Sequence, residues 1–134
     1  MKPWVPLVSF AAGAMDTATG VMLIAAPAMT VGLFGATLPG GEDAAILMRW
    51  VGVFVLGVGL SYLWAIASGD AATRARRLPG VWGATMVIRT GTALFCFSAV
   101  AAHQLDAAWL IVAASDTILA ALQAWGLRAG WLES

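Results

Sequence analysis

Along the 134 residues, apolar side chains gather into four long blocks at about 7–34, 44–68, 80–102 and 107–127, parted by short polar stretches. An α-helix rises about 1.5 Å per residue, so each block can cross about 30 Å of hydrocarbon. The intervening stretches, 35–43, 68–80 and 103–106, hold nearly all the proline, glycine and charge found outside the blocks, as loops at a water boundary do. The pattern predicts an all-α membrane protein, a four-transmembrane-helix bundle that occupies 1–134 as one domain. Pro27 interrupts the first block beyond Asp16. It is expected to kink that helix or end it, leaving 28–35 as a short cap at the outer surface.

Composition agrees with this reading. The chain is 61% hydrophobic and 10% charged, whereas soluble domains are about a quarter charged. Net charge is zero, and basic residues cluster only in one short loop, so there is no electrostatic footprint for nucleic acid. Cys96 is the single cysteine and has no partner for an intramolecular disulfide. The opening MKPWVPLVSFAAGA resembles a signal peptide superficially, but its apolar run continues past Asp16, which favours a retained membrane helix.

Orientation follows from the basic residues, which concentrate in cytoplasmic loops. Lys2, Arg74, Arg76, Arg77 and Arg128 fall on one side of the four blocks, and Glu42, Asp43 and Asp106 on the other. Both termini are therefore expected in the cytoplasm, in a multi-pass protein of a bacterial inner membrane. The bias argues against an antiparallel dual-topology dimer and leaves a homo-oligomer open. Trp4, Trp64, Trp82, Trp125 and Trp131 would form a cytoplasmic aromatic belt, with Trp109 and Trp50 at the far interface. Gly13, Gly20, Gly52, Gly57, Gly59, Gly83 and Gly91 offer small faces for close helix packing.

Four ionisable residues lie inside the blocks: Asp16, Arg49, Arg89 and Asp116. Each would cost about 2.5–3.5 kcal/mol at a helix centre if it stood alone, so the expectation is that opposite charges meet inside the bundle. Asp16, Arg89 and Asp116 fall near mid-depth; Arg49 is shallower and could instead reach the interface. Positions three, four and seven apart share a helical face. Asp16 thus shares a face with Ser9, Thr19 and Gly20, Arg89 with Thr85, Thr92 and Cys96, and Asp116 with Trp109 and Gln123. These polar stripes are expected to line a common cavity, with Asp16, Arg49, Arg89 and Asp116 as catalytic candidates. Ser9, Thr19, Thr85, Thr92, Gln123, Trp109 and Trp50 are the binding candidates. The competing reading is an ion-pair network that fixes helix pairing alone. His103 sits at the outer boundary, and no ligand spacing suggests a metal or another cofactor.

GVMLIAAPAMTVGLFG, LMRWVGVFVLGVGLSYLWAIASGD and a late aspartate in VAASDTILAALQAW together resemble the small DoxX-like four-helix membrane proteins, over roughly residues 13–127. That resemblance implies a four-helix membrane bundle and carries no particular activity.

Two classes of function fit these residues. One is an intramembrane enzyme for a lipophilic small molecule, such as a terpenoid, sterol or epoxide, in which one aspartate is the base, the other the acid, and Arg89 orients and neutralises. The residue types are similar to those of limonene-epoxide-hydrolase-type enzymes, on an unrelated soluble fold. Epoxide opening, hydration, isomerisation or cyclisation would suit such a set. The alternative is a proton-coupled transporter or channel in which the aspartates load and release protons. An accessory membrane subunit, its charges meeting a partner's, is a third reading. Membrane lipid is an expected neighbour in every case.

Overall fold

The computed structural model describes residues 1–38, 40–67 and 69–133. Pro39, expected in the first loop, Ser68, expected to close the second span, and Ser134 lie outside them. Helix α1 runs Val5–Ala25, α2 Pro27–Leu33, α3 Gly41–Ala67, α4 Ala71–Ala101 and α5 Leu110–Arg128, the last entered through a 3-10 turn at Ala107–Trp109. Among the described residues the fold is all-helical, and α1, α3, α4 and the turn with α5 are long and apolar enough to span a membrane.

Of the two alternatives at Pro27, a kink or an end, the first span ends: it stops at Ala25, because Pro27 has no N–H for the Leu23 carbonyl and Ala26 leaves helical geometry at φ −143°. Helix α2 then starts on that proline. The basic stretch 68–80, expected as a loop, is mostly helix. Asp70 caps α4 by accepting the Thr73 backbone N–H at 2.6 Å, and Pro79 is accommodated inside the helix. Arg74, Arg76 and Arg77 therefore ride on the first turns of α4.

The helices assemble as two tight antiparallel pairs, α1 with α3 and α4 with α5. Glycine sets the spacing of the first pair. A Cβ on Gly20 would stand 2.5 Å from the Leu56 backbone nitrogen, one on Gly59 2.4 Å from that of Thr17, and one on Gly52 3.0 Å from the Gly20 carbonyl oxygen. Gly13 packs equally closely, on Tyr62. Gly57, Gly83 and Gly91, expected to serve the same purpose, have no neighbour within 4 Å. They face outward.

The pairs themselves meet differently. Helix α3 touches α4, but the α1 backbone approaches neither α4 nor α5 closely among the described residues. Long side chains fill that seam. At one end the Met1 amino group donates to the Glu133 carbonyl, and the Lys2 N–H donates to the Trp131 carbonyl at 2.8 Å, so the N- and C-terminal segments share one face of the bundle.

Candidate functional site

Three helices repeat one spacing. Ser9 and Asp16 on α1, Trp82 and Arg89 on α4, and Asp116 and Gln123 on α5 are each seven residues apart, two turns along a single face. The fold turns all three faces inward and stacks their polar groups in layers.

The mid-depth layer is ionic. Arg89 reaches across the seam and donates from Nη2 to Asp16 Oδ2, and from Nη1 to Asp116 Oδ1 at 2.6 Å. Arg89 is 5% exposed, and the Asp16 and Asp116 side chains 10% and 14%. In hydrocarbon such charges persist only when paired and hydrogen-bonded. Each carboxylate spends one oxygen on Arg89. Asp16 Oδ1 and Asp116 Oδ2 carry no hydrogen bond among the described residues, and Arg89 Nε is buried with no acceptor.

A neutral layer lies one turn closer to the terminal segments. Gln123 Nε2 donates to Tyr62 Oη and to Thr85 Oγ1 at 2.8 Å, while Tyr62 Oη and Thr85 Oγ1 are 2.7 Å apart. The Thr85 hydroxyl also donates to the Val81 carbonyl, so the consistent assignment has the Tyr62 hydroxyl donating to Thr85. Trp82 Nε1 donates to Ser9 Oγ at 2.8 Å, a second bridge from α4 to α1.

No family model matches the chain, and neither curated proteins nor solved structures give a match. The geometry alone therefore sorts the candidates.

Asp16, Arg89 and Asp116 converge, and Ser9, Thr85 and Gln123 sit in the adjoining layer. Arg49 does not join them. It is exposed, and its Nη1 donates to the Ile24 carbonyl, one of the acceptors at the α1 terminus where Pro27 breaks the helix. Its role is that of a C-terminal cap on a neighbouring helix. Trp50 is also outside the site, 61% exposed and edge-on to Phe54 at 4.8 Å. Trp109 packs at the opposite end of the bundle, against the cluster of Leu23, Val31 and Ala36. Thr92 donates to the Ile88 carbonyl of its own helix at 3.1 Å. Thr19 is half-buried and enters neither layer.

Two site residues escape the sequence reading. Trp82, expected in the interfacial belt, is 1% exposed and central to the core, and Tyr62, the chain's one tyrosine, joins α3 to α4 and α5. The available signal for Trp82 was its seven-residue spacing from Arg89. At the terminal end Trp131 stacks edge-on with Trp4 at 4.7 Å and lies 5.7 Å from Trp125.

Among the described residues, the space found where the common cavity was expected is small. The space bounded by Ser9, Ala12, Tyr62, Trp82, Leu119 and Gln123 is about 10 Å³, which a single water would fill. The polar stripes occupy the interior themselves. A larger space lies on the lipid side of the α4/α5 pair, an open groove of about 400 Å³ lined by Met86, Thr90, Ala93, Phe97, Thr117 and Ala120 among others. Its α4 lining, from Met86 to Phe97, brackets Arg89 along the helix axis, and Ala93 and Ala120 lie one turn from Arg89 and Asp116 in sequence.

Proposed function

We propose that this chain is an intramembrane enzyme in which Asp16, Arg89 and Asp116 carry out acid–base chemistry on a lipophilic small molecule, with epoxide opening by water as the reaction class. The observation that carries this reading is the sharing of one guanidinium by two carboxylates at mid-depth, each with an oxygen left over. Two carboxylates and one guanidinium leave one negative charge uncompensated, and a single proton on either aspartate balances it. The site then holds a base and an acid on either side of a fixed cation.

In the opening step the ionised aspartate takes a proton from water as the water oxygen bonds to an epoxide carbon. The C–O bond of the ring breaks, and the protonated aspartate gives its proton to the departing oxygen. The product is a vicinal diol, and the proton returns between the carboxylates through solvent. Arg89 stabilises whichever carboxylate is ionised, and its free Nε–H is a donor for substrate oxygen. A terpenoid- or sterol-like epoxide would reach this layer sideways from the bilayer, along the α4/α5 groove.

Transport is the weaker reading: among the described residues the buried side chains toward the opposite end include Leu23, Val31, Ala36, Cys96 and Ala99, and the Thr30 hydroxyl there donates to the Ala26 carbonyl. The basic bias at the terminal end supports cytoplasmic termini in a bacterial inner membrane, and the helix count suits the DoxX-like resemblance.

The test is conversion of a panel of lipophilic epoxides by the reconstituted protein in ¹⁸O-labelled water. Diols carrying one ¹⁸O, formed by the wild type and reduced at least about a hundredfold in both Asp16→Asn and Asp116→Asn, are expected. Equal conversion by wild type and both folded variants would dispose of this function.

A further inference from the structure

We propose that the terminal end of the bundle binds the headgroup of an anionic phospholipid on the first turns of α4, between Arg74, Arg77 and Trp64. This site is independent of the acid–base chemistry at mid-depth.

Charge at this end is unbalanced. Lys2, Arg74, Arg76, Arg77 and Arg128 face only the acidic side chains Asp70 and Glu133, and none of the five forms a salt bridge among the described residues. Asp70 is occupied as the α4 cap, accepting from both the N–H and the hydroxyl of Thr73. Arg76 donates to the Thr73 hydroxyl at 3.3 Å, a neutral partner. Arg74 Nε is buried without an acceptor. The cationic surface is thus short of anions.

Its placement selects the kind of anion. Arg77 lies over the Trp64 ring, 4.1 Å from the centroid, which holds the guanidinium beside an indole near the end of α3. Trp64 and Trp125 are exposed at this end, where such rings sit at headgroup level. Arg74 and Arg77 are three residues apart on one face, so both are offered to a phosphate at that level. Lipid-facing Leu60, one turn deeper than Trp64 on α3, is positioned for the acyl chain below it. A phosphodiester with its chains in the bilayer meets all of these features; a free phosphate uses only the cations.

Native mass spectrometry of the purified protein with equimolar phosphatidylglycerol and phosphatidylcholine tests the proposal. Wild type should retain phosphatidylglycerol about thirtyfold more, and Arg74→Gln/Arg77→Gln should fall near parity, since each of the two arginines is worth about fivefold toward an anionic surface. Trp64→Leu, which keeps both arginines, should lose part of the preference. Glu42→Gln, at the far end, should retain it. Equal retention of the two lipids by wild type overturns the proposal without reference to any variant. Displacement of the lipid by millimolar inorganic phosphate also overturns it, by assigning the cations to a free anion.

Discussion

The contact of α1 with α3 and the seam of α1 with α4 solve the same problem by opposite means. Lipid tails are as apolar as leucine, so helices in a bilayer gain little from hiding hydrocarbon and associate through close packing or polar bonds. Helix α1 presents Gly13 and Gly20 to α3, and the backbones touch. Toward α4 it presents Ser9 and Asp16, and the backbones stand apart while Trp82 and Arg89 cross the space. The glycine contact can hold a fold and do nothing else. The polar seam places a buried cation between two carboxylates at mid-depth.

The largest break in this contrast comes from Arg89. Arg89→Met should remove about 3–5 kcal/mol of stability, because it leaves the buried aspartates without their cation. Reversible unfolding in mixed micelles measures it. Adding Asp16→Asn and Asp116→Asn to that variant should restore most of the loss, which glycine packing alone would not foresee.

Gly59→Ala and Gly20→Ala attack the other contact. Each added Cβ meets backbone rather than a flexible side-chain end, so about 1–3 kcal/mol should be lost in the same assay. Gly57→Ala, on the open side of the same helix, should be neutral or slightly stabilising.

Smaller changes sharpen the picture. Tyr62→Phe removes one hydroxyl from the neutral layer and should cost about 0.6 kcal/mol, near the mean for hydrogen bonds between membrane helices.

The smallest effect concerns Asp70, outside the membrane layers. The Thr73 backbone N–H holds its carboxyl below the usual carboxylate range. The cap therefore supports α4 fully above about pH 4, and that support fades as pH falls through the lower folded-state value. Amide exchange over residues 71–74 should show this loss in acid. Asp70→Asn, which can still cap, should abolish its pH dependence.

How far the sequence reveals this arrangement depends on how local each cause is. Asp16, Arg89 and Asp116 stand out because a charge inside an apolar block needs a partner, whatever the fold, and their mid-depth positions follow from counting. Arg49 gives the same signal with a different cause. Its partner is a carbonyl at the end of another helix, near where Pro27 breaks it, and that relation exists only once α1 and α3 are packed. Trp82 shows the limit from the other side. A tryptophan near a block end satisfies the rule for interfacial anchors; its seven-residue spacing from Arg89 hints at an inward face, and its bond to Ser9 makes it a bridge. The boundary at 68–80 was hidden because charge marks a loop in composition, whereas the Asp70 cap makes the same residues the start of a helix.

The most direct measurement is epoxide opening in ¹⁸O-labelled water by the charge-neutral triple variant Asp16→Asn/Arg89→Met/Asp116→Asn, compared with wild type under conditions where both are folded. A stable variant that forms no labelled diol, beside a wild type that does, is the predicted result. A variant that folds and turns over like wild type would contradict the account and leave the buried charges as a device for pairing helices.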